Sequence, residues 1–350
     1  SAGGNLTVNT GGALTDSGAL VIPGTTTITA TGQVVDLDHT SNNFATILFG
    51  SSSNAVSSVE VVDTNGIIIG ASKSTGNFTV TAGGDVTDSG NVTVGGNLIA
   101  TTDANSGVID MGTLRVDGTV ALTTDGDGNA TVVNDTLLDF ANSTVRGNLV
   151  ATASAGNITQ SGALTITGTT TLVTSADNGT IDLKVNSIVN AFTGKLLITT
   201  NDTGSETDGD VEIDGGTTNL ILGASTIDGD LVLLSGGTIT DDGIATVRGT
   251  LTATTDQSDK IITLNELAVT GAFTLAPDGT GDVTIVNAAG LNLAASTMGG
   301  DFSGTATTGD ISDSGILAIT GDSTFTAAGG QSVTLNNANN FTGTVTFATP

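Results

Sequence analysis

The sequence predicts an all-β chain wound as a right-handed parallel β-helix, a β-solenoid of about 15 coils. Three observations carry this: a composition that favours strands and turns over helices, a phrase that returns at a fixed interval, and turns too closely spaced for crossover helices. Gly contributes 50 of the 350 residues and Pro only 3, and Lys, Arg and Glu together number 11. Those three types are what a soluble helix places on its wet face, whereas the abundant Thr, Val and Ile suit a pleated surface. An apolar fraction of 37% with mean hydropathy +0.24 is enough to build a core and argues against disorder. The ten Phe, with no Tyr or Trp, fit a narrow aliphatic interior assembled from many short strands.

The repeated phrase is Gly-Asn/Asp-Leu/Phe, then Thr-Asp-Ser-Gly, then an aliphatic strand, a Gly and a Thr-rich strand. It reads GNLTVNTGGALTDSGALVIPGTTTIT from Gly4 and GNFTVTAGGDVTDSGNVTVGGNLIAT from Gly76. It returns, with substitutions, from Gly147, Gly229 and Gly300. The turn glycines Gly18, Gly90, Gly162, Gly243 and Gly315 are separated by 72, 72, 81 and 72 residues. Even units share the continuation Ala-Thr-Thr-Asp at Ala100–Asp103 and Ala253–Asp256, and odd units carry a step ending at Phe44, Phe192 or Phe341. The pattern is a tandem duplication of a pair.

Strands of four to six residues alternate with Gly, Asn or Asp turns every eight or so residues. That spacing excludes a βαβ crossover, and the strand number is too large for one sandwich. Stacked coils resolve both difficulties. Seventy-two residues divide into three coils of roughly 24, so a single continuous solenoid over 1–350 would be roughly 70 Å long at the strand spacing. The expected units are 1–75, 76–146, 147–228, 229–299 and an incomplete 300–350. Alternate aliphatic residues such as Leu6 and Val8, Leu20 and Ile22, or Val333 and Leu335 face the core. The chain opens at Ser1-Ala2-Gly3-Gly4 inside a repeat, as expected of a processed mature end or a piece of something longer.

The alternation of Gly-Asn-Leu, Thr-Asp-Ser-Gly, Thr-rich strands and Asn-rich turns resembles the long repetitive regions of filamentous-haemagglutinin-like adhesins and related giant β-strand-repeat exoproteins of bacteria. The resemblance spans the whole chain. It implies a parallel β-helix, export to the bacterial cell surface or beyond, and a role in adhesion, biofilm or surface architecture. The family's amino-terminal secretion domain and a distinct binding head have no counterpart in these residues.

Net charge is −28, with 31 Asp against 4 Glu. Such a surface repels nucleic acid and anionic membranes, and no apolar run approaches the roughly 18 residues of a membrane helix. Cys is absent, which excludes disulfides and thiolate metal sites. The lone His39 sits in a turn beside Asp36 and Asp38 with no orienting partner, so a catalytic triad is not expected. Parallel β-helix enzymes that cleave polysaccharides use carboxylates, and Asp241-Asp242 is an adjacent pair. Its first member, however, occupies the turn position of Asp16, Asp88, Gln160 and Asp313. No enzyme is expected.

Calcium is the stronger expectation for a site. Asp125, Asp127 and Asn129 offer oxygen ligands at alternate positions of a glycine-rich loop, although Ala130 and Thr136 depart from an EF-hand. Asp202, Glu206, Asp208 and Asp210 form a second acidic cluster where the third unit is longer by about ten residues. Asp and Asn also favour such turns for conformational reasons alone. The seam aspartates recur three coils apart, too far to share one ion. Thr25 and Thr27, like Thr169 and Thr171, recur at the same wide interval, unlike an ice-binding array, which needs matched pairs on every coil.

The expected function is that of an extracellular structural repeat protein, a rod or filament segment of a bacterial surface adhesin, without cofactor. Its partners would be itself, end to end, or further repeats in the same chain, with a host or neighbouring-cell surface beyond. A calcium- or glycan-binding module comes second and a polysaccharide-cleaving enzyme third.

Overall fold

A computed structural model describes residues 3–103, 106–185, 188–201, 203–204 and 208–348. The chain divides into two compact units, Ser1–Thr171 and Leu172–Pro350. Each is a right-handed parallel β-helix, about 16 turns in all, with no helix among the described residues. Neighbouring coils pair in parallel. In the first unit Leu6 lies beside Thr26, Thr26 beside Ile47, and Ile47 beside Ile69. Val86 then lies beside Ile109, Ile109 beside Ala130, and Ala130 beside Leu149. The second unit continues the pattern, with Ile262 beside Val283, Phe302 and Ser323 in turn.

These pairings set a coil of 19–23 residues, shorter than the 24 expected, so a 72-residue unit spans about three and a half coils instead of three. The half coil has a consequence. Each coil lays one unbroken strand on one face and two short strands on the other. Phe78–Ala82, Leu98–Thr102 and Thr119–Thr123 are unbroken on the first face, opposite pairs such as Val86–Asp88 with Val92–Val94. Beyond Asn129 the arrangement inverts: Ala130–Asn134 and Leu149–Ala153 are unbroken on the second face, opposite Leu138–Phe140 with Ser143–Val145. Similar inversions separate Asn43–Phe49 from Ser58–Asp63, Lys195–Asn201 from Val211–Asp214, and Ala272–Ala276 from Val283–Asn287. A half-integral repeat therefore exchanges the two faces once per unit, which is why odd and even units differ in sequence.

The interior is a column of Val, Ile, Leu and Ala punctuated by fully buried Phe44, Phe49, Phe78, Phe140, Phe192 and Phe273. Strands read buried, half-buried, buried, as in Leu231–Ser235, because successive residues point to opposite faces. The rings pack edge to face where coils meet, as with Phe49 and Phe78 at 5.5 Å between centroids.

At each inversion a backbone N–H loses its ladder partner, and a buried side chain replaces it. Phe49 N donates to Ser72 Oγ at 3.0 Å, and that hydroxyl donates on to Gly70 O at 2.8 Å. The same arrangement joins Leu122 to Ser143, Ile198 to Ser225, and Leu275 to Ser296. Nearby, Val116 N donates to Asn134 Oδ1 and Val269 N to Asn287 Oδ1, both at 2.8 Å, with each amide Nδ2 returning a bond to the same residue's carbonyl. An orphaned buried amide costs about 1–3 kcal/mol, so these polar residues stabilise the interior they interrupt.

Candidate functional site

The polar groups that could carry chemistry are concentrated in the turns, and most of them bond from one coil to the next. The seam aspartate of Thr-Asp-Ser-Gly is a clamp. Asp88 accepts from Gly112 N at 3.1 Å, and from Thr113 N and Oγ1 at 2.8 and 2.7 Å, all in the following coil. Asp313 accepts from Asn336 N, Asn337 N and Asn339 Nδ2 at 2.9, 3.1 and 2.6 Å, and Asp16 from Asn42 Nδ2 at 2.6 Å. Burial, the largest single influence on Asp313, raises its pKa, but these bonds to the ionised form outweigh it and hold the carboxyl below its ordinary value.

A second device runs through the Gly-Asn/Asp turns. In the first unit Asn77 Oδ1 accepts from Asn97 N and Asn97 Oδ1 from Thr119 N, both at 3.0 Å. Asn129 accepts from Asn148 N and Asn148 from Thr169 N, both at 2.8 Å. In the second unit the rungs at this corner are carboxylates, Asp210 accepting from Asp230 N at 2.8 Å and Asp230 from Thr250 N at 2.6 Å. At other turns the types mix, with Asp85 accepting from Val108 N in the first unit and Asn219 from Thr238 N in the second. Asp282, Asp301 and Asp322 stack in successive coils, each accepting the backbone N–H of the next at 2.7–2.8 Å. Glycine precedes the rung because the preceding coil's backbone passes close: a Cβ on Gly229 would stand 2.6 Å from both Asp210 N and Gly209 C.

The candidate calcium residues fall on the face-exchange loops. Asp125, Asp127 and Asn129 share the loop after Thr119–Thr123, where Gly126 adopts φ +58° and Thr124 Oγ1 closes the turn on Gly128 O at 2.8 Å. Asp125 faces Arg146 at 3.9 Å, and Asp127 N donates to Ser106 Oγ at 3.0 Å. Asn129 is a ladder rung, as is Asp210, while Asp208 is exposed and its carbonyl accepts from Asp210 N. Local desolvation raises the Asp210 pKa, with Asp230, Asp208 and Glu212 adding repulsion. Asp202 and Glu206 lie outside the described residues. Among the described residues no three His, Asp or Glu side chains converge as a metal site would require.

The remaining candidates resolve separately. His39 Nδ1 accepts from Ser41 N at 3.1 Å, a turn contact. Asp241 accepts from Glu266 N at 2.7 Å, and Asp242 pairs with Lys195 Nζ at 2.6 Å, so the adjacent carboxylates serve different neighbours. One buried carboxylate stands apart. Asp63 occupies the position held by Asn134 and Asn287 in later units, accepting from Phe44 N and Asn65 N at 2.6 and 2.8 Å. Burial raises its pKa despite those bonds.

Sequence reasoning found the clamp aspartates as a repeated turn residue but not the ladder or the buried serines. A signal for the serines exists: Ser72, Ser143, Ser225 and Ser296 recur at 71, 82 and 71 residues, in step with the units.

No curated protein and no solved structure matches the chain. A family model described as repeats of unknown function (DUF5649) matches it in five segments, 1–49, 56–110, 127–199, 208–278 and 280–348. The last four begin within or beside the loops that exchange the two faces, so the family's repeat is the stretch between inversions. By this match, over most of its length, the chain belongs to the DUF5649 family of repeats.

Proposed function

We propose that the chain is a non-enzymatic structural repeat protein, exported by a bacterium and serving as a load-bearing segment of a surface fibre or adhesin of the filamentous-haemagglutinin type. The observation that carries this reading is the use made of the polar residues. Clamps, ladder rungs and buried serines are engaged between coils, and Asp241, Asp242 and His39 form no catalytic constellation. Cooperative stacking of this kind suits a mechanical element whose repeats stabilise their neighbours. The resemblance in vocabulary to bacterial exoproteins supports export, and the acidic surface fits an extracellular setting free of nucleic acid. End coils with open strand edges would be covered by further repeats or by another copy.

Pulling single molecules between their ends tests the reading. A load-bearing solenoid should lengthen in repeated steps of roughly 70 Å, the extended span of one coil at about 3.5 Å per residue. Loss of all structure in one event at low force would overturn it.

A further inference from the structure

The fold builds one surface groove twice, and the two copies carry different polar groups, with Asn265, Glu266 and Thr307 the polar residues of the second. In the first unit a groove of about 370 Å³ lies over the register shift between Met111 and Leu114, where Asp88 clamps Gly112 and Thr113. In the second unit a groove of about 280 Å³ lies over the shift between Leu264 and Leu267, where Asp241 clamps Glu266. The two are related by a constant offset of 153 residues. The floor is kept, Leu114 and Val133 corresponding to Leu267 and Val286. The walls are not: Asn91, Arg115 and Asp135 correspond to Ile244, Ala268 and Ala288.

We infer that the first-unit groove is a binding site for a neutral carbohydrate, a function beyond the structural role and independent of it. Gly112 and Thr113 of the groove are engaged by Asp88, whereas the Asn91, Arg115 and Asp135 side chains make no hydrogen bond within the described residues. Arg115 lies 3.7 Å from Asp117 and 3.8 Å from Asp135, held between two carboxylates yet beyond hydrogen-bond reach of either. Its guanidinium stands beside the Asp135 carboxylate, and Asn91 lines the same groove over an aliphatic floor. Sugar hydroxyls both donate and accept, and need donors and acceptors side by side. Anionic ligands are disfavoured because two carboxylates flank the single guanidinium. A peptide added as a strand is excluded because Ile109–Val116 is already paired on both sides, with Val92–Val94 and Ala130–Asn134. Without an aromatic platform the affinity is weak, in the millimolar range.

The test uses saturation-transfer NMR and calorimetry on the whole chain with maltohexaose, cellohexaose and mannohexaose. At least one should bind. Asn91→Ile with Asp135→Ala installs residues that the second-unit groove itself carries, so the fold tolerates them, and binding should fall at least tenfold. Arg115→Ala should do the same, with circular dichroism unchanged. The reverse graft, Ile244→Asn, Ala268→Arg and Ala288→Asp, should raise the stoichiometry from one to two. Failure of all three sugars to bind, or binding undiminished by the first two variants, would overturn the site while leaving the structural role untouched.

Discussion

The two units solve the same problem with different atoms. In the first, the ladder at one corner of the coil is made of asparagine: Asn77, Asn97, Asn129 and Asn148 each accept a backbone N–H from the next coil. In the second, Asp210, Asp230, Asp282, Asp301 and Asp322 make the same contact with a carboxylate. A charged acceptor forms the stronger individual bond. Successive coils, however, place like charges about 4.8 Å apart, and each rung then repels the next. The hydrogen bond is common to both units, and the sensitivity to salt and charge belongs to the second. A turn position that reads as one repeated word thus carries two electrostatic designs.

The largest effects should not distinguish the units at all. Phe140→Ala in the first and Phe273→Ala in the second each empty a fully buried site and should cost about 3–5 kcal/mol in chemical denaturation. A large difference between them would show that the cores, not the ladders, set the units apart. Clamp removal comes next. Asp88→Ala and Asp313→Ala should each cost about 1–3 kcal/mol and speed hydrogen exchange in the coil they hold. Because the Asp313 pKa is lowered, its contribution is full above 3.8 and is lost as pH falls through the lowered value, so acid should loosen the Asn336–Asn339 turn.

Asp63 behaves in the opposite sense. Its raised pKa means that its contribution is present below 3.8 and lost as pH rises through the folded value. Asp63→Asn, the residue type of Asn134 and Asn287, removes the titration and should flatten that dependence. Its single amide oxygen can keep only one of the Phe44 and Asn65 N–H bonds, so the loss of stability should be greater at pH 4 than at pH 7. Denaturation midpoints at pH 7 and pH 4 check it, and equal loss at both would refute the account. The smallest effect addresses the ladders themselves. Replacing Asp282, Asp301 and Asp322 together by Asn should stabilise the second unit by about 0.5–1 kcal/mol at low salt, fading toward zero at 1 M. Asn77→Asp with Asn97→Asp should shift the first unit the other way.

Much of this was legible in the sequence, and the omissions have a common cause. Turn glycines such as Gly90 and Gly162 fixed the register, and alternation in strands such as Leu231–Ser235 fixed the buried face. The coil number per unit was not legible, because a repeat length alone admits whole and half coils equally. Only the pairing of Ile109 with Ala130 and of Ala130 with Leu149 separates them. Ser143 and Asn134 read as turn formers although they are buried, since composition does not reveal which amides an inversion leaves without partners. The ladder was half visible: Asn77 and Asp301 open the repeated phrase and Asn97 and Asp322 lie near its end, but the phrase does not reveal that these positions stack in successive coils. Of the calcium candidates, Asp125, Asp127 and Asn129 lie in a loop where the two faces exchange, a property their spacing did not announce.

The central claim, that turn side chains bind coil to coil, is tested most directly by native-state hydrogen exchange resolved at single amides. Asn97, Thr119, Asn148 and Thr169 in the first unit, and Asp230, Thr250, Asp301, Asp322 and Thr344 in the second, lie in or beside exposed turns. Their N–H groups should nevertheless exchange as slowly as those of the adjoining strands, and Asn97→Ala should release Thr119 in particular. Exchange at these amides as fast as in the open turns around Gly12 or Gly329 would contradict the claim.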